Sequence, residues 1–454
     1  MSWSKGSLGY FLGKVLDWVG AKRAAARLFC IAPRSDYAGW WAGVSLLQQG
    51  ADEEARALLE GLYEAHPAWK RTKRLLATVY LRGEPELAAA LYATPMDTWD
   101  ELTLGDLLFF FLDRKEEGLS HWRAAYTGLD WETGRELDNP ARLILKRLWR
   151  FTRDTSYLEQ FAKLDTDNVR QQDIVDYANL LASRGELDQA REMLDRGLYI
   201  YRGDSALTAC WEKLGFGSLP AYKVRSAGVA ALRHSVQTGL LTEVTDLPTV
   251  VKQVHEDYPE GVITIASSVV TMCEGTLLWI PTFHPSRLAR LLGPFTGHGA
   301  GPVVHWYSYP REAAWKVEAY MELAGTLRVI IGAVATVAGK LVRHKGWFYS
   351  VVGPVAKAVD SDKLMPYDAC LVPGPLDVQA SLTRMSSCGA QVAIVDVNDV
   401  FGAEIVACTD GVDVEWLRQA LGDNPAGNDD SMTPIVVVMP AERCQPCETV
   451  PSSS

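Results

Sequence analysis

Nothing in this sequence reads as a membrane span. The most apolar stretch, LRVIIGAVATVAGKLV at residues 327–342, carries Arg328 and Lys340, and a span needs about 20 apolar residues. It reads instead as a buried strand and helix. The first thirty residues lack an apolar run followed by a small-residue cleavage site, so no secretory leader is expected. Paired cysteines are missing as well. The eight cysteines are scattered, as in a reduced cytoplasmic protein. Cys444 and Cys447 form one CxxC, but in a polar tail with no second pair, whereas a structural zinc takes four ligands. That pair is read as part of a solvated tail. His284, His298 and His305 have no metal-ligand spacing, so no zinc site is assigned. No GxSxG surrounds Ser267, which excludes that nucleophile arrangement. Positive charge is also short. Lys and Arg number 45 against 56 Asp and Glu, a formal net charge of -11, which argues against a broad nucleic-acid surface. Neither nucleic acid nor a membrane is an expected partner.

What is present is a globular composition, 48% apolar and 22% charged, over a length that suits two to three domains. Residues 1–217 carry a repeat. A glycine followed five residues later by an alanine recurs at Gly20 and Ala25, Gly50 and Ala55, Gly83 and Ala88, and Gly185 and Ala190. The first steps are 30 and 33 residues, and the last, 102, is three times 34. Two intermediate units are therefore expected near Gly118 and near Thr152. In YANLLASRGELDQAREMLDRGLYIY, Tyr177, Leu180 and Leu181 line one helix face and Gly185 supplies the turn. Ala190 allows a second helix to approach, with Met193, Leu194 and Leu198 as its apolar stripe. This layout resembles the tetratricopeptide repeat. The resemblance implies paired helices stacked into a superhelix whose groove binds a peptide or partner protein. An array that packs only against its own C-terminal domain is the other reading, and both stay open. Trp40, Trp41, Trp69, Trp99, Trp122 and Trp149 are expected mostly in the helical core.

Composition changes after Gly217. VITIASSVV, VAIVDVND, EIVAC and PIVVVM are continuous β-branched runs and read as buried strands. LPTVVKQVHEDY, HPSRLARLLG and VEWLRQALG read as helices between them. The expected fold is multidomain: an all-α superhelix over 1–217, an α+β domain over 223–440, and a disordered tail over 441–454.

Four blocks of the second half are similar to the coenzyme F-420-0 gamma-glutamyl ligase superfamily, in a divergent branch. The first runs from Gly261 through Ile265 as a strand, Ser267 and Ser268 as a turn, to the Glu274-Gly275 pair. Ser268 and Thr276 stand where many members carry lysine and arginine. The second contains Gly346, Phe348, Tyr349, Gly353 and Asp360, followed by PGPLD at 373–377. The third is Asn398, Asp399, Val400, Phe401 and Gly402 after a strand that includes Asp396. The fourth is Asp423, Asn424, Pro425 and Gly427, then Thr433, Pro434 and Ile435, with departures at Asn428, Ser431 and Met432.

The resemblance implies an amide-forming ligase that activates a carboxylate as an acyl phosphate for attack by an amino-acid amine. It implies GTP (or ATP) as co-substrate, Mg or Mn, and a homodimer. Carried onto this chain, Asp360 and Asp399 are the expected metal ligands. Glu274 and Asp396 are the expected catalytic residues. Ser267, Ser268, Gly353, Asp423, Asn424 and Gly427 are expected at the nucleotide. Arg343, His344 and Lys345 read as a solvated basic turn. Two further readings stay open: a non-catalytic binding protein with a degenerate ligase fold, and a ligase whose peptide substrate is delivered by the repeats.

Overall fold

A computed structural model describes residues 5–19, 21–31, 33–131, 140–164, 171–201, 204–220, 227–282, 284–293, 310–341, 347–353, 360–361, 364–398, 402–427 and 432–441. The first part of the chain is helical. Its helices are α1 (Lys5–Trp18), α2 (Lys22–Ile31), α3 (Asp36–Gln48), α4 (Asp52–Ala65), α5 (Lys70–Leu81), α6 (Pro85–Ala90), α7 (Thr98–Asp106), α8 (Lys115–Thr127), α9 (Ala141–Thr152), α10 (Thr155–Leu164), α11 (Gln171–Ser183), α12 (Leu187–Ile200) and α13 (Ser205–Lys213). Strands then enter: β1 (Ala231–Val236), α14 (Leu247–Asp257), β2 (Val262–Ala266), α15 (Ser267–Glu274), β3 (Leu278–Trp279), α16 (Arg287–Leu292), α17 (Pro310–Ala324), α18 (Thr326–Leu341), α19 (Trp347–Val352), β4 (Asp360–Ser361) and β5 (Cys370–Val372). The chain continues with α20 (Val378–Met385), β6 (Val392–Asn398), β7 (Gly402–Cys408), α21 (Val414–Ala420) and β8 (Ile435–Pro440). Among the described residues no helix is long and apolar enough to cross a membrane.

Contacts divide the chain into two compact units. One is Met1–Val169 with Glu274–Leu376, and the other is Arg170–Cys273 with Asp377–Ser454. A single cut near Gly217 does not describe this division. The reason is packing: the segment after Glu274 buries its apolar residues among the first helices.

In the first unit the repeat signature has a direct physical meaning. Ala25, Ala55 and Ala88 are at most 1% exposed, so each marks a helix–helix approach that a larger side chain would block. Gly50 has φ 73° and makes the turn between α3 and α4, a conformation that costs glycine little. Gly20 lies outside the described residues. The unit expected at Gly118 differs. Gly118 sits inside α8, and a Cβ there would lie 2.8 Å from the Gly105 carbonyl oxygen. It serves close approach of α7 and α8 rather than a turn. Near Thr152 the expected turn is present, with Arg153 left-handed at φ 61° between α9 and α10. Of the six tryptophans expected in the helical core, Trp40, Trp41, Trp99, Trp122 and Trp149 are buried.

The later segment shares this core. Tyr320, Val329 and Phe348 cluster with Phe29, Trp40 and Leu75, and Trp279 meets Trp99 edge-on at 5.9 Å. Two buried ion networks accompany the apolar contacts. Arg71 on α5 donates to both carboxylate oxygens of Glu322 on α17, at 2.8 and 3.0 Å, and to the Thr282 carbonyl at 3.0 Å. Lys22 pairs with Asp17 and donates to the Glu322 carbonyl oxygen. Arg147 on α9, fully buried, forks between Asp106 at the end of α7 and Asp368 before β5. A buried guanidinium is tolerated only when paired and hydrogen-bonded. Of the stretch 327–342, expected as a strand and a helix, residues 327–341 lie in α18, with Leu327, Ile331, Val334 and Val337 exposed, and Val342 lies outside the described residues. Gly332 permits contact with Phe348 and Val352.

The second unit holds a five-stranded mixed sheet in the order β1-β8-β2-β6-β7. Only β2 and β6 run parallel, with Ile263 opposite Val392 and Ala266 opposite Val395. Alternation divides the strand residues between two faces. Ile263, Ile265, Val392, Ile394, Ile435 and Val437 pack with α14 and α20. Val262, Ala393, Val395, Val436 and Val438 pack with α21. Burial on both faces is why these strands read as continuous apolar runs. The same unit includes α11, α12 and α13, where Gly185 has φ 81° and Ala190 is fully buried.

Candidate functional site

The sequence VITIASSVV does not continue as a strand. It changes at Ser267, where β2 ends and α15 begins without an intervening loop. A helix's first N–H groups have no intrahelical acceptor and carry partial positive charge. At this junction they lie at the carboxyl end of a strand. Ala266 is opposite Val395 in the parallel pair, so Ser267 is level with Asp396, one step further along β6. Open α/β sheets place their ligand sites at this edge, outside the carboxyl ends of parallel strands. Ser267 is only 5% exposed, and Thr271 donates back to its carbonyl oxygen at 3.2 Å. Ser268 is half-buried.

Asp396 is a strand residue, opposite Glu404 on β7 and half-buried. Alternation with Val395 and Val397, which belong to the α21 side, puts Asp396 on the α14 side. Asp396 and Glu404 thus bring two carboxylates to one step of the β6–β7 ladder. Asp399, three residues on, lies outside the described residues.

The loop before β8 reaches the same edge of the sheet. Ala266 donates its backbone N–H to the Pro434 carbonyl at 3.1 Å. Asn424 takes a left-handed conformation, φ 54°, and is buried, and Gly427 has φ 72° and donates to the Asn424 carbonyl. Thr433 fixes the loop's return by donating to the Ala426 carbonyl at 2.7 Å. Asp423 has a different employment. It accepts from Arg233 on β1, which also donates to the Ala420 carbonyl at 3.2 Å. Ser235, on the same strand, donates to the Pro425 carbonyl at 2.7 Å. The DNPAG segment is thus strapped to the edge strand, with Asp423 as one of the straps. β1 had no strong sequence signal, because ALRHSV is mixed and half-exposed, and Arg233 was missed with it.

The remaining expected residues belong to the first unit. Glu274 ends α15, is half-buried, and its carbonyl accepts from Arg82 at 3.1 Å. Thr276, where the ligase pattern has arginine, is 1% exposed with a buried hydroxyl. Gly353 follows α19 with φ 100° and open space around it. Asp360 opens β4, opposite Val372 of β5. Phe348, expected in the same block as Gly353, is a core residue at 2% exposure. Among the described residues no group of three or more His, Cys, Asp or Glu side chains is arranged to hold a metal ion.

The elements that meet at the carboxyl edge of the second unit's sheet are therefore Ser267 and Ser268, Asp396, and, before β8, Asn424–Gly427 with Met432–Pro434. No protein-family model matches this chain, and no curated protein matches it either.

Proposed function

We propose that the carboxyl edge of the β2–β6 pair is a phosphate-binding site, and that the chain is a nucleotide- and metal-dependent ligase of the gamma-glutamyl ligase type. The observation that carries the reading is the β2–α15 junction: Ser267 begins a helix at the end of a parallel strand, level with Asp396. Helix N-terminal amides suit phosphate oxygens. The Asp396–Glu404 ladder pair suits a divalent cation, which is commonly held by one or two carboxylates with phosphate oxygens and water. Such a cation, when bound, would offset charge on the transferring phosphoryl group. Asp396 would hold it, and Ser267 and Ser268 would orient the phosphates.

In the proposed reaction a substrate carboxylate oxygen attacks the γ-phosphorus, and the nucleoside diphosphate leaves. An amino-acid amine then attacks the acyl carbon, loses a proton, and phosphate departs. Phosphoryl transfer asks the protein for positioning and electrostatics rather than covalent chemistry. Rigid strand ends provide that positioning. The reading of the first helices as tetratricopeptide-like is supported by the buried alanines and the left-handed glycine at Gly50.

A second reading, binding without catalysis, is favoured by Asp423. Its charge is already paired with Arg233, so one expected nucleotide-site carboxylate is structural.

Hydrogen exchange with GTP or ATP and Mn²⁺ tests the site. Slowed exchange is expected over residues 262–274 and 392–398. Unchanged exchange in both segments at saturating nucleotide would remove the proposal.

A further inference from the structure

One helix at the start of the chain is apolar on two sides. Its inward residues join the first unit's core. Outward, Leu8, Phe11, Leu12, Val15, Trp18 and Val19 are each at least 39% exposed. At 100° per residue these six fall within an arc of about 120°. A second stripe with the same spacing runs along α18, at Leu327, Ile331, Val334 and Val337. These ten are nearly half of the 21 large apolar side chains exposed among the described residues, so the exposure is concentrated rather than scattered. Between the two helices lies α17, which packs against both and is itself largely buried.

Charge distinguishes what could cover this face. The chain carries net -11, yet its first 34 residues contain six basic residues and one acidic residue, Asp17. Arg23 and Arg27 are exposed on α2, and the Lys14 side chain is 46% exposed on α1. A second copy docking by two-fold symmetry would bring this positive surface against itself. An anionic lipid surface would not be repelled.

We propose that the outward face of α1, with α18 beside α17, seats on an anionic membrane surface. Phe11, Trp18 and their aliphatic neighbours enter the headgroup boundary, and Arg27 on the flanking α2 meets the lipid phosphates. A helix lying in the interface plane needs an apolar face and basic flanks, not the length of a span. That is why the absence of a membrane-crossing helix does not bear on it. The expectation that no membrane is a partner rested on the lack of a span and of a leader-like apolar run.

The test is flotation of the full chain with vesicles of phosphatidylcholine, with and without phosphatidylserine. Wild type is expected to float with the anionic vesicles only, and to release as salt is raised, since surface attraction is screened. The variant carrying Phe11→Glu and Trp18→Glu should lose binding by on the order of tenfold or more. Leu187→Glu, at an exposed apolar residue of the other unit, should bind as wild type. Hydrogen exchange on the wild type needs no variant. Exchange over 8–19 and 327–337 should slow when anionic vesicles are added. Failure of wild type to float with anionic vesicles at low salt overturns the proposal. So does a sedimentation profile in which wild type is a dimer that Phe11→Glu with Trp18→Glu makes monomeric, which would assign the face to a second copy. Neither outcome bears on nucleotide binding.

Discussion

Arg147 on α9 grips Asp368, 221 positions further along the chain, with two hydrogen bonds of 2.7 and 3.1 Å. The same guanidinium donates to both oxygens of Asp106, at 2.6 and 2.8 Å. The pairing makes one unit of two segments remote in sequence. Replacing a partner in a buried ion group typically costs about 3–5 kcal/mol, because the remaining charges stay buried and unpaired. Arg147→Ala is therefore expected to destabilise the first unit by roughly that amount in denaturant unfolding. Arg147→Lys should recover only part of it, since an ammonium has three donors and cannot bind both oxygens of each carboxylate as the planar guanidinium does.

The same site gives a pH signature. Burial, opposed by Arg147, pushes the Asp106 carboxyl up to about 6. Its folded state therefore holds a proton more tightly than the unfolded state, where a free aspartate titrates near ~3.9. Stability contributed here falls as pH rises from about 4 to about 6, and is constant above. The span is on the order of 3 kcal/mol. Asp106→Asn should flatten that fall in melts taken between these limits, while costing stability at neutral pH because Arg147 keeps only Asp368 as a charged partner. An unchanged pH slope would show that the titration belongs elsewhere.

Two glycines in helices make opposite predictions. A Cβ at Gly118 would meet the Gly105 carbonyl at 2.8 Å, and backbone cannot yield cheaply. Gly118→Ala should cost about 1–3 kcal/mol by overpacking. Gly61, inside α4, has nothing within 4 Å of a built Cβ. Gly61→Ala should stabilise by roughly 0.5–1 kcal/mol through helix propensity. Paired urea titrations check both, and equal effects would contradict the packing described.

Asp423 and Asp396 should separate in function. Asp423 and Arg233 are each about a quarter exposed, so Asp423→Asn should cost about 1 kcal/mol of stability at most. It should leave nucleotide affinity unchanged. Asp396→Asn should weaken metal-dependent nucleotide binding by on the order of tenfold. A reversed ranking would place the site on the Arg233 side of the sheet.

Much of this architecture was legible in the sequence. The buried alanines and turn glycines followed from a spacing of about one repeat. The β-branched runs became β2, β6, β7 and β8, and in β2, β6 and β8 burial on both faces leaves little polar alternation to obscure them. Gly118 was misread because composition cannot distinguish a glycine that turns from one that lets helices touch. The 327–342 stretch was misread because periodicity alone does not separate short apolar strands from helices. Legibility of the site was narrower. Ser267 and Ser268 were expected as a turn, whereas a helix begins there. Arg233, Arg147 and Arg71 escaped because their partners, Asp423, Asp368 and Glu322, are 190 to 251 positions distant, and a single sequence records no such pairing.

The most direct measurement is isothermal titration of the full chain with GTP and with ATP, each with and without Mn²⁺. The account predicts metal-dependent binding of at least one nucleotide in the micromolar range, abolished or strongly weakened by Asp396→Asn. Absence of binding by both nucleotides in the presence of Mn²⁺ would contradict it and leave the β2–α15 junction without a phosphate ligand.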